Sequence, residues 1–195
     1  MIHNPDRSGW FGASDTNFVI AKNRNTKSWQ NWWLEKLDLH KNEFSSKAMA
    51  AGSAWEHKIL DAVDPAIRKD HQITIEKYRL RVNYDGDKDG VIYEVKTYDF
   101  NKGFKYADKT KDLKRLRNDP YWRQSQVEMY AMKTTKLYIV AYGLIPEEYD
   151  NYFLPVDDKR IKFYRVEYDK QWIQNEYLPN LKDLCRALRK GRFPT

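Results

Sequence analysis

Residues 136–144, KLYIVAYGL, carry apolar side chains at successive positions rather than at alternate ones. Neighbouring side chains on a strand point to opposite faces, so a strand built from this stretch needs an apolar cover on both of them. That requirement selects a layered arrangement with helices on either side of a sheet. The rest of the chain supplies the layers. Residues 14–22, SDTNFVIAK, read as a short helix capped by Ser14 or Asp15. Residues 28–38, SWQNWWLEKLD, read as a second, with Trp29, Trp32, Trp33 and Leu37 at helical spacing. A third runs over residues 46–62, with Ala48, Gly52, Trp55 and Ile59 in one stripe.

The period then changes. QITIEK (72–77), YRLRVNY (78–84) and VIYEVKTY (91–98) alternate like strands. Residues 119–133 return to helix with Pro120 early in it, IKFYRVEY (161–168) is a further strand, and residues 170–190 close the chain as a helix. Pro179 is expected to kink or split that last helix. The expectation is a single α/β domain over residues 1–195, a central mixed β-sheet flanked by helices. It comprises N-terminal helices within 14–62, a core sheet and glutamine-bearing helix over 72–143, and a C-terminal strand and helix over 160–190.

Composition narrows the function classes. Hydrophobic residues make up 41% of the 195, enough for one packed core. No stretch approaches the ~20 apolar residues that span a bilayer, and the N-terminus lacks the basic start and apolar run of a signal peptide. A lone cysteine, Cys185, excludes an internal disulfide and any multi-cysteine metal site; it points to a reducing, cytoplasmic compartment and reads as a small core residue. The net charge of +7 favours an anionic partner such as nucleic acid.

The stretch YDGDKDGVIYEVK, residues 84–96, holds two readings of one cation site. Counted from Asp85, its first six positions fit a calcium loop, but the twelfth is Lys96 where a bidentate glutamate belongs, and both flanks alternate like strands. The second reading is a hairpin. Glu94 and Lys96, two apart, project from one face of a strand, Val95 turns toward the core, and a Gly86–Gly90 turn folds Asp85 back beside Glu94. Two carboxylates form a hard oxygen set suited to Mg²⁺ or Mn²⁺, and the lysine is placed to steer or deprotonate a water. Asp85 is the first choice for the aspartate because Gly86 follows it directly; Asp87 is the alternative.

This pattern resembles the core of the PD-(D/E)XK nucleases, and more narrowly the lambda-type (YqaJ-like) viral recombination exonucleases. Four segments carry the resemblance in order from about residue 7 to 143: RSGWFGASDTNFVIAK (7–22), SKAMAAGSAWEHKIL (46–60), YDGDKDGVIYEVK (84–96) and YWRQSQVEMYAM (121–132). A tyrosine, Tyr84, stands where the family often has proline. The resemblance implies a restriction-endonuclease-like sheet core and a Mg²⁺-dependent deoxyribonuclease. Its metal site is Glu56, Asp85, Glu94 and the backbone carbonyl of Val95, with Lys96 and Gln126 acting on the water. Gly52, one turn before Glu56, would let that helix approach the sheet closely.

Arg7 and Ser14, at a helix start, would clamp a terminal 5′ phosphate. Gln124 and Tyr130 belong to the same DNA-binding set. Also implied are 5′→3′ digestion of linear duplex DNA, a ring-shaped homotrimer and a single-strand annealing partner. An endonuclease or nickase on the same fold, and a non-catalytic nucleic-acid-binding module, are the alternatives. Helical spacing assigns Trp29, Trp32 and Trp33 to the core before base stacking, and His57 to solvent before an outer-shell role beside Glu56.

Overall fold

The computed structural model describes residues 7–41 and 46–194. Five strands form one sheet in the order β1 (Arg68–Ile75), β2 (Leu80–Lys88), β3 (Val91–Asp99), β4 (Lys136–Leu144) and β5 (Ile161–Glu167). Only the β3–β4 pair is parallel. A parallel neighbour needs a crossover, and residues 100–135 provide it with α4 (Leu113–Arg117) and α5 (Pro120–Met132). Before the sheet come α1 (Thr16–Val19), α2 (Lys27–Lys36) and α3 (Lys47–Val63), and after it α6 (Lys170–Trp172) and α7 (Leu178–Arg189). This is the mixed α/β sheet expected from the sequence.

β4 is covered by apolar side chains on both faces. Leu137, Ile139 and Ala141 enter one core with Trp29, Trp32, Trp33 and the α5 and α7 residues, while Val140, Tyr142 and Leu144 enter a second core with Trp55, Ile59 and Val95. The tryptophan cluster is therefore packing: Trp29 and Trp33 stack at 5.6 Å, and both are buried. Cys185 is likewise buried. Among the described residues no helix is long and apolar enough to cross a membrane.

Three local expectations change. β1 begins at Arg68, earlier than Gln72, because its first residues, Arg68, Lys69, Asp70 and His71, are polar and carry no alternation to read. β2 continues through Gly86 to Lys88, so the turn is only the pair Asp89–Gly90, both at positive φ (51° and 77°) as a tight Asp-Gly hairpin requires. The aspartate-rich stretch is thus strand and hairpin, with no calcium loop. The last helix does break near Pro179, but the break is a π-helical segment, Ile173–Tyr177, one turn earlier, which accommodates the proline at the start of α7.

Two close approaches fix α3 against the sheet. A Cβ built on Gly52 would stand 3.0 Å from Thr97 Oγ1, and one on Gly86 would meet Ile67 Cγ2 at 2.5 Å. Glycine at 52 lets α3 lie close to β3, and glycine at 86 lets β2 pass beneath Ile67 and, at 3.1 Å, Leu60 of α3.

Candidate active site

The β2–β3 ladder pairs Gly86 with Tyr93, Asp87 with Ile92 and Lys88 with Val91. Past Gly86 that pairing ends, and the Val95 amide donates instead to Asp85 Oδ2 at 2.7 Å. The opening strands leave one side chain from each at the mouth of a wedge. Asp87, the alternative aspartate, is fully buried and bound by Arg68 and by His71 at 3.3 Å. It is a structural anchor for β1, and Asp85 is the aspartate that faces the Glu94 cluster.

Glu94 and Lys96 project from the same face of β3 toward α5. Lys96 Nζ lies 2.6 Å from Glu94 Oε1, and Gln124 Nε2 donates to that same oxygen at 2.6 Å and to Glu128 Oε1 at 2.7 Å. Glu94 and Glu128 are buried, and the second oxygen of each has no hydrogen-bond partner. Burying an unpaired carboxylate oxygen is costly. The arrangement therefore persists only with a compensating charge, and among the described residues Lys96 is the cation that touches Glu94.

Glu56 reaches the cluster from α3. It lines a cleft of about 780 Å³ with Gly52, Val95, Lys96 and Thr97. The carboxylates act on one another through space. Burial, with repulsion from Glu94 second, pushes the Glu56 pKa from 4.5 up to about 7. Burial and then Glu94, with a contribution from Glu56, hold Asp85 well above the ordinary aspartate range. Burial and Glu94 likewise raise Glu128. For Lys96 burial acts downward, but Glu94, Asp85 and Glu128 outweigh it and lift the ammonium above its usual value. Lys96 is therefore a firmly held cation in the metal-free chain. Among the described residues a group of three possible metal ligands is different again: Glu56, His57 and Asp70 bring one ligand atom each within 4.8 Å of one another. His57 Nε2 is 3.1 Å from Asp70 Oδ1, so this histidine is paired beside the cleft.

Gln126 does not join the cluster. Its side chain is fully buried, with Nε2 donating to the Glu167 carbonyl at 2.9 Å and Oε1 accepting from the Asp169 amide at 2.6 Å. It ties α5 to the end of β5. Two residues along a helix is about 200° of rotation, so Gln124 and Gln126 must face different ways, and Gln124 is the one turned to Glu94. Tyr130 is also turned away: its half-buried ring packs against the core and its hydroxyl lies beside Tyr78. Glu128 went unread in the sequence, although it stands four residues after Gln124, one helical turn on the same face.

A contrast follows. Gln126→Ala is expected to cost roughly 1–3 kcal/mol of stability by leaving two backbone groups unpaired, seen as a lowered Tm. Gln124→Ala should lower Tm through charge instead: it strips the donor from the buried Glu94 Oε1 and Glu128 Oε1, so its cost should grow as pH rises, whereas that of Gln126→Ala should not.

Arg7 and Ser14 are together. Arg7 donates to Ser14 Oγ at 2.7 Å, and both line a cavity of about 330 Å³ with Gly12, Lys36, Arg81 and Gln124. Ser14 is not the helix cap. Asp15 stands at the cap position of α1 but makes no capping bond with its side chain: one oxygen reaches back to accept from the Gly12 amide at 2.7 Å while the other accepts from Trp32 Nε1 at 2.9 Å. Lys36 is buried against Asp15 at 2.8 Å. Burial works against the Asp15 charge, but Lys36 and Arg7 hold its carboxyl below the usual range. Gln124 thus stands between the basic cavity and the carboxylates.

A five-stranded mixed sheet of this order, with helices on both faces, is the fold of a class of solved exonucleases. The alkaline exonuclease LHK-Exo from Laribacter hongkongensis superposes with a TM-score of 0.67 at 21% identity, over 94% of this chain and 90% of that one. The phage-related exonuclease from Haemophilus somnus 129PT superposes at 0.64 and 16% identity, over 93% and 92%. At these identities the likeness establishes the fold, and it is the fold that the motifs resembled. No family model and no curated protein sequence matches the chain.

Proposed function

We propose that this chain is a lambda-type, metal-dependent exonuclease that digests one strand of linear duplex DNA 5′→3′ from a phosphorylated end. The observation that carries the reading is the meeting of Asp85, Glu94, Lys96 and Gln124 at the mouth of the β2–β3 wedge, with Glu56 in the adjoining cleft. The donor set fits a hard divalent cation: Glu56 and Asp85, whose pKa values are raised by burial and by Glu94, and a buried Glu94 oxygen with no partner. Glu56, Asp85, Glu94 and the Val95 carbonyl would hold Mg²⁺, with Mn²⁺ as substitute. Bound there, such a cation supplies a water of lowered pKa and charge neutralisation at the departing oxygen. Lys96 orients the attacking water and offsets charge on the phosphate. Gln124 fixes Glu94 from the other side. Arg7, Ser14 and Lys36 supply donors and positive charge for a terminal phosphate, next to Gln124.

Both neighbours named above are exonucleases, and LHK-Exo has also been solved with dAMP. A mononucleotide is the product that stepwise digestion would release here. The ring-shaped homotrimer and the annealing partner belong to the same proposal; sedimentation of the purified chain at three times the monomer mass tests the first.

Arg7→Ala is expected to reduce the preference for a 5′-phosphorylated over a 5′-hydroxyl end by about tenfold to a hundredfold, the worth of one charge-assisted contact. Competition between the two ends in one tube measures it. A variant that keeps the wild-type preference removes Arg7 from the pocket.

The pH dependence has a defined sign. Between pH 4.5 and about 7 the folded metal-free chain holds a proton on Glu56 that the unfolded chain has released. Its stability therefore falls as pH rises through that window, and Asp85 and Glu128, both raised, act in the same direction. Thermal unfolding at pH 5 and pH 8 should show the lower Tm at pH 8, with Mg²⁺ restoring most of the loss. A metal-free Tm that rises over this interval would refute the coupling.

A further inference from the structure

The crossover between β3 and α5 is the most basic segment of the chain. Residues 101–118 hold seven lysines and arginines against two aspartates, a net +5 out of the +7 of the whole protein. The segment is anchored rather than loose. Phe104 and Tyr106 are buried, and Phe104 packs on Tyr98, Tyr121 and Tyr164 at 5.1–5.9 Å. Its basic side chains divide into two groups. Lys102, Lys109, Arg115 and Arg117 are paired with Asp99, Asp119, Asp112 and Asp169. Lys105, Lys111 and Lys114 are exposed, and no described carboxylate lies within ion-pair distance of them.

Position gives this charge a role. A cavity of about 330 Å³ under the crossover is lined by Lys105, Phe104 and Tyr121 together with Tyr98, Asp99 and Lys102. The last three also line the cleft that holds Glu56 and Lys96, so the two spaces share a wall. Tyr121 is shared in another way, for Lys96 Nζ stands 5.4 Å from its ring centre. The Arg7–Ser14 cavity opens at Gln124, on the other side of the carboxylates.

We infer that the crossover is the grip on the DNA beyond the cut: Lys105, Lys111 and Lys114 neutralise backbone phosphates of the duplex whose end is held at Arg7. The inference rests on the exonuclease reading. It adds the surface that keeps the enzyme on DNA between successive cuts, a task for which point-charge ammonium groups without protein partners are suited, since each releases a counterion on meeting a phosphate.

The test is the triple variant Lys105→Ala, Lys111→Ala, Lys114→Ala, whose exposed substitutions leave the fold intact, checked by an unchanged Tm. Binding to a labelled linear duplex is measured by anisotropy across salt concentrations without divalent cation. Turnover with Mg²⁺ is measured on that duplex and on a 5′-phosphorylated strand of about four nucleotides, too short to reach the crossover. The variant should show a log K against log salt slope shallower by about 2–3 than wild type. It should release fewer nucleotides per binding event on the duplex, and it should turn over the short strand at the wild-type rate. An unchanged slope in a variant whose wild-type parent cuts DNA overturns the grip and leaves the exonuclease reading standing, as does equal loss on both substrates. A wild-type chain that neither binds nor cuts DNA overturns both.

Discussion

Replacing Lys96 with alanine is expected to slow release of nucleotides from linear duplex by roughly 10²–10⁴, the range for loss of a positioned proton-transfer or charge-stabilising group. The same change removes the cation that touches Glu94 and offsets the field of Asp85 and Glu128. The metal-free variant should therefore also lose about 3 kcal/mol of stability, since a buried carboxylate is left without its partner. Lys96→Arg separates the two effects. Arginine restores the positive charge, and with it most of the Tm, but its planar fork cannot stand where a compact ammonium fits between Glu94 and the Tyr121 ring. Turnover should stay low. Recovery of full cleavage by Lys96→Arg would reduce Lys96 to a counter-charge.

Asp85→Asn should do the reverse to stability. Asp85 is half-buried among like charges, and asparagine keeps an oxygen for the Val95 amide while removing the repulsion from Glu94 and Glu56. The metal-free variant is expected to be more stable than wild type at pH 8 by about 0.5–2 kcal/mol, as is common when a functional strain is relieved. The response to cation disappears along with it. Wild type at a Mg²⁺ concentration near 100 times its Kd gains about 2.7 kcal/mol, a Tm rise of about 5–10 °C for a chain of this size, whereas the variant gains almost nothing and cleaves no DNA at a measurable rate. A variant that is destabilised without metal, or that keeps the Mg²⁺ shift, would show that Asp85 serves the fold and not the cation.

The layers were legible because β4 has apolar residues on both faces and the helices before and after it keep a steady spacing. Glu94 and Lys96 were legible for the same reason, since alternation alone puts them on one face of β3. Gln126 was misjudged because both glutamines of α5 have the same chemistry, and only the tertiary position of Glu167 and Asp169 decides which of them faces the core. Tyr130 failed similarly: a tyrosine on a helix serves core packing or an interface equally well. The pairing of Asp87 with Arg68 and His71, and of Lys36 with Asp15, joins residues that sequence spacing does not connect. Glu128 could have been found from its one-turn spacing to Gln124, but its burial, which makes it matter, comes from α5 packing against β3.

Carboxylates from α3, β2 and β3 are expected to act together with Lys96 on the end of a DNA strand. Purified chain with 5′-phosphorylated linear duplex and closed circular duplex, each in Mg²⁺ and in chelator, is the direct measurement. Mononucleotides should appear from the linear DNA in Mg²⁺ alone, while the circle stays intact. Nicking of the circle, or release that persists in chelator, would contradict it.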